Sequence, residues 1–141
     1  MRFAVVAGLS MLALIGAARG QEPGLAEKLL HNKDLLSNPP ASCAADASLN
    51  NFQLQQCAAL GFRDADAELN RTYQVALSAS SGAAVEKLKQ AQRLWIAFRD
   101  AECEWEAARY EGGTLAPVVF GNCLGIITRD RSKQLRSALE P

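Results

Sequence analysis

Between Leu54 and Ala76 the apolar residues fall at three- and four-residue steps: Leu54, Ala58, Phe62, Ala65, Leu69, Tyr73 and Ala76. Only an α-helix gathers residues so spaced onto one side. Asp46 or Ser48 can cap its start, and it should end near Ser78, before a turn at Ser80-Ser81-Gly82. A second stripe follows at Val85, Leu88, Ala91 or Gln92, Trp95, Phe98 or Arg99, Cys103 and Tyr110, and stops at Gly112-Gly113. Thr114 can cap a third helix carried by Leu115, Val118, Val119, Ile126, Ile127, Leu135 and Leu139, with Pro117 accommodated in the first turn. Gly121 and Gly125 weaken its middle. No stretch alternates with period two, so the predicted fold is all-α: an antiparallel bundle of about three long helices with short connections.

The N-terminus reads differently. Met1-Arg2 gives a positive start, Phe3 to Ile15 is an apolar run, and Ala18-Arg19-Gly20 places small residues before a cut ahead of Gln21. Residues 1–20 are therefore expected to be a signal peptide, the run being shorter than the roughly 20 apolar residues a membrane span requires. Residues 21–41 form a leader and linker, and 42–141 the helical domain. Leu25, Leu29, Leu30, Leu35 and Leu36 mark a short leader helix within Gly24 to Leu36, closed by Pro39-Pro40, and His31 in it is expected to face solvent. The predicted location is periplasmic or secreted, with no stable membrane insertion after cleavage.

Fifteen basic and fifteen acidic residues balance in the full chain, and loss of Arg2 and Arg19 leaves 13 basic against 15 acidic, a net of −2. That balance argues against nucleic acid or anionic lipid as the main partner, since both are held chiefly by basic surface. Four cysteines in an exported chain suit two disulfides. Their separations of 14, 46 and 20 positions lack the close Cys-x-x-Cys pair of a zinc site, so no metal or cofactor is expected. Cys103 lies nine residues before Gly112 and Cys123 ten after Gly113. In a helix pair turning at those glycines both stand ~14 Å from the turn and can bridge. Cys43 can run back along the first long helix to Cys57, which gives the second pair; a Cys57 to Cys103 bridge is the competing connectivity.

The densest block is Gln92-x-x-Trp95-x-x-Phe98-Arg99-Asp100-x-x-Cys103. Before it stands Ala65-Asp66-Ala67-Glu68-Leu69-Asn70-x-x-Tyr73, and after it Cys123, Thr128, Arg131 and Leu135. With these blocks in order from about Cys43 to Leu139, the chain resembles the LprI family of lysozyme inhibitors. Unlike the lipoprotein for which that family is named, it has no cysteine near the predicted cut. Physically, Gln92, Trp95, Arg99 and Cys103 share one helical face, so the block reads as a structural motif in which Trp95 anchors the bundle. Arg99, Asp100 and Arg131 are expected to tie the second helix to the third through an ion pair.

Catalytic chemistry finds little support. Glu102, Glu104, Glu106 and Glu111 are close in sequence, whereas glycosidases oppose two carboxyl groups across a cleft, so a solvated acidic face explains them. One histidine, in the leader, supplies neither a Cys-His pair nor a Ser-His-Asp triad. The resemblance implies a protein partner, a lysozyme or related cell-wall hydrolase, and no enzymatic activity. Of the exposed segments, the turn Glu111-Gly112-Gly113-Thr114 is best suited to entering a cleft, because its small residues allow close approach. The alternative is a non-inhibitory adaptor of the cell envelope that docks through the leucine-rich leader.

Overall fold

A computed structural model of the chain describes residues 24–44 and 48–140. The predicted signal peptide and Asp46 lie outside those residues. The described residues form α1 (Leu25–Leu30), α2 (Lys33–Leu36), α3 (Asn51–Ala79), α4 (Ala83–Ala108) and α5 (Ala116–Ser137), with no strand among them. The all-helical bundle expected from the apolar stripes is the observed architecture.

The helix ends follow from local hydrogen bonding. Neither expected residue caps α3: Asn50 does, its side chain accepting from the Gln53 N–H at 2.9 Å while the Gln53 side chain accepts from the Asn50 N–H at 3.0 Å. This reciprocal pair satisfies two amide donors that a helix start leaves free. At the far end the Ser80 hydroxyl donates to the Ala76 carbonyl at 2.8 Å, and Gly82, at φ 54°, turns the chain into α4. Thr114 does not cap α5; Leu115 occupies that position without a side-chain hydrogen bond, and Pro117 falls within the first turn.

Because the chain reverses direction at each end of α4, α3 and α5 run parallel, and their contact is the most extensive among the described helices. Small residues make it close. A Cβ on Gly121 would stand 2.9 Å from the Ala58 Cβ, and one on Gly125 would stand 3.4 Å from the Phe62 backbone nitrogen. The two glycines that weaken α5 as an isolated helix are thus the positions at which α3 approaches it. Ion pairing of Arg136 with Glu68 and donation from Arg129 to the Gly61 carbonyl at 3.3 Å continue the contact. Phe62, Leu124, Cys103 and Cys123 form the core; full burial of Phe62 or Leu124 contributes about 1.5–3 kcal/mol each.

Two disulfides close the fold, Cys43–Cys57 and Cys103–Cys123, with Cα separations of 5.6 and 5.5 Å, and the competing connectivity does not occur. Each loop closure is worth ~3 kcal/mol through restriction of the unfolded chain. The leader departs from expectation. It forms two short helices, and Ala26 belongs to the core, with Leu29 and Leu30 packed against it. Part of its apolar stripe is used inside the molecule, while Leu25 stays largely exposed. His31 is exposed, 3.3 Å from Glu27.

Gly121→Ala gains about 1 kcal/mol of helix propensity yet forces Ala58 away. The overpacking, about 1–3 kcal/mol, should prevail and lower the urea midpoint. Gly61→Ala, whose Cβ would meet only an Arg129 nitrogen at 4.0 Å, should leave the midpoint unchanged or raise it.

Candidate functional site

Two arrangements of side chains stand out, one inside the bundle and one at its end. The internal one is the Trp95 block. Cys103 is bonded to α5, so the α4 face that carries it turns inward and brings Gln92, Trp95 and Arg99 with it. Arg99 is 6 % exposed. Its guanidinium lies 5.1 Å from the Phe62 ring centre and 5.3 Å from that of Trp95. It pairs with Asp100 at 2.7 Å and reaches Asp66 on α3 at 4.0 Å. Arg131 stands 5.9 Å from the Trp95 ring centre and donates to the Gln92 side chain at 3.2 Å.

The expected Arg99–Asp100–Arg131 tie is therefore two ties. Arg99 joins α4 to α3, and Arg131 joins α5 to α4 through a neutral amide. Asp100 is needed as the near partner because a guanidinium so enclosed must have its charge compensated. Burial pushes the Asp66 carboxyl above its ordinary range, and Arg99 and the Asn70 amide, donating at 2.9 Å, pull it part of the way back. Burial also draws the Arg131 guanidinium below its usual value. These groups are consumed by one another and by the aromatic rings, so they hold helices together.

The second arrangement surrounds the turn between α4 and α5. Beyond Ala108 the chain winds through bonds from Glu111 N–H to the Ala108 carbonyl at 3.1 Å and Gly113 N–H to the Tyr110 carbonyl at 2.9 Å. Gly112, at φ 76°, takes a conformation that side chains disfavour. Asn51 at the start of α3 donates to the Thr114 hydroxyl at 2.9 Å. The turn is thus tied to α3 by that bond, and α4 and α5 are tied to each other below it by Cys103–Cys123. Glu111, Gly112, Gly113 and Thr114 are all exposed.

Beside this turn lies an open cleft of about 390 Å³, lined by Leu25, Glu104, Ala107, Ala116, Pro117 and Phe120. Its floor is apolar and Glu104 is its one charged residue. Tyr110 and Leu115 expose much of their surface on the turn itself. The cleft was not legible in the sequence, because it depends on where α1 packs, and α1 has too few residues for a reliable stripe. Among the described residues no cluster of His, Cys, Asp and Glu is placed to hold a metal ion, and no helix is long and apolar enough to cross a membrane.

The family model for lysozyme inhibitor LprI matches residues 43–135, about two thirds of the chain. The chain belongs to the LprI family. The match starts at Cys43 and ends at Leu135, and so spans both disulfides, the Trp95 block and the α4–α5 turn, while α1 and α2 lie outside it. A similar protein from Rhizobium meliloti (strain 1021), named only as uncharacterized, is 34% identical over 106 residues, covering 66% of this chain and 76% of its own. No solved structure matches this LprI-family chain.

Arg99→Ala should cost about 2–3 kcal/mol, below the value for a fully enclosed pair because Asp66 and Asp100 keep some contact with water. Asp66 supplies a pH test. Its folded-state pKa lies above the unfolded one, so its stabilising contribution is present at low pH and is lost as pH rises through the folded value. The stability of the wild type relative to Asp66→Asn should therefore increase on acidification from neutrality toward the carboxylate range, in paired urea titrations.

Proposed function

We propose that the chain is exported through the signal peptide at residues 1–20 and inhibits a lysozyme-like muramidase in the periplasm or outside the cell. Membership of the lysozyme inhibitor family carries this reading. It is a binding role, with no catalytic residue assigned. The mature protein divides into the leader and linker at 21–41 and the helical domain at 42–141.

The turn Glu111-Gly112-Gly113-Thr114 is the segment we assign to the partner. Three physical features support it. The turn is held at its base by Asn51 and by Cys103–Cys123, so little ordering entropy remains to be lost on binding. Glu104 and Glu111 place negative charge beside it, which speeds and orients the approach of a basic enzyme. Tyr110 offers an exposed aromatic ring of the kind that anchors interfaces.

Oxidised residues 21–141 should slow peptidoglycan lysis by a c-type lysozyme in a turbidity assay. Inhibition should weaken when added salt shortens the Debye length from ~10 Å at 0.1 M. Gly112→Val, strained by roughly 1–2 kcal/mol in the left-handed region, should weaken it further while helix content stays unchanged. Full-strength lysis in the presence of wild-type protein, across several lysozyme classes, would end the reading.

A further inference from the structure

The inward face of α4 is fixed by Gln92, Arg99 and Cys103, the helix's only buried residues. On the opposite side Ala91, Leu94, Phe98, Ala101, Trp105 and Ala108 are separated by three, four, three, four and three positions. At ~100° per residue these six lie within one stripe about 100° wide, opposite Gln92, Arg99 and Cys103, and their alternating steps of three and four have the mean spacing of about 3.5 that brings two helices together. Leu94 is 65% exposed, Phe98 56% and Trp105 63%. Single exposed apolar residues are ordinary, but a continuous seam of three large ones along one helix is not. No helix among the described residues covers them.

We propose that this seam joins two copies of the chain in an antiparallel, two-fold symmetric dimer. The intervals read the same in both directions, so a two-fold axis between Phe98 and Ala101 returns every seam residue to a seam residue. Phe98 then meets the partner's Ala101, Leu94 meets the partner's Trp105, and Ala91 meets the partner's Ala108. The large ring of Phe98 faces a small residue, as isologous packing requires.

Charge selects the same orientation. From residue 86 to 93 the helix carries Lys87, Lys89 and Arg93 against Glu86; from 102 to its end at Ala108 it carries Glu102, Glu104 and Glu106 and no basic residue. An antiparallel pair sets the basic half of each copy beside the acidic half of the other, whereas a parallel pair sets like against like. Arg93 and Glu104 lie on the same flank of the seam and at neighbouring levels across the axis. The α4–α5 turns then lie at opposite ends of the dimer, clear of the seam, so the dimer would present two of the turns assigned above to the muramidase.

Sedimentation equilibrium on oxidised residues 21–141 should give twice the monomer mass at high protein concentration, with reversible dissociation on dilution. Phe98→Glu should yield monomer at every concentration, with thermal unfolding of the single chain unchanged because the side chain is exposed there. Arg93→Glu and Glu104→Arg should each weaken association at least tenfold, and the double exchange should restore it. Monomeric wild type at millimolar concentration would overturn the proposal, as would a dimer that survives Phe98→Glu. Should the wild type be monomeric and Phe98→Glu abolish inhibition, the seam belongs to the muramidase and the self-association is refuted. Inhibition lost through Gly112→Val leaves the dimer mass unaltered, so the two readings fail separately.

Discussion

The approach of α5 to α3 at Gly121 and Ala58 sets the spacing on which the remaining structure depends. With a Cβ at Gly121 the two helices could not close over Phe62 and Leu124, and Arg129 and Arg136 would be carried away from Gly61 and Glu68. The leader depends on the same contact, since Leu29 lies against the Gly121 position and reaches the core there. Once α3 and α5 are in place, Cys103–Cys123 determines which side of α4 faces inward. That single rotational choice buries Arg99, exposes Phe98 and directs the α4–α5 turn to the end of the bundle.

The number and order of the long helices were legible because three long stripes with 3.6-residue periodicity and two glycine-containing turns leave few alternatives. The Cys103–Cys123 pairing followed from equal heights above a turn and Cys43–Cys57 from the reach of the segment before α3, while the structure decides against the competing Cys57–Cys103 bridge. What the stripes could not decide was the rotation of α4. At two places an apolar residue adjoins a polar one, Ala91 with Gln92 and Phe98 with Arg99, and in both the polar residue is inside. Hydrophobicity alone favours the reverse. The choice is made at a distance, by Cys103 and by the carboxylates of Asp66 and Asp100 that compensate the buried guanidinium. Tertiary partners of that kind are invisible in a one-dimensional pattern. Short-range capping was missed for a related reason: Asn50 and Gln53 succeed through their mutual geometry, and Thr114 lies one residue before the α5 cap position, where its hydroxyl accepts from Asn51, which is distant in sequence.

The block that most resembles a functional signature is thus spent on architecture. Gln92, Trp95, Arg99, Asp100 and Arg131 hold three helices in register through ring contacts and shared charge. Surface chemistry lies elsewhere, in the turn with its apolar cleft and in the outward seam of α4. The former is small, acidic and held at its base; the latter is long and apolar.

The central claim is that a muramidase is engaged through the α4–α5 turn, and amide hydrogen exchange in the presence and absence of lysozyme tests it most directly. Binding through the turn predicts slowed exchange across residues 109–116 when the enzyme is added, with the amides of α3 unaffected. Protection confined to the helical faces, with exchange in 109–116 unchanged, would contradict it.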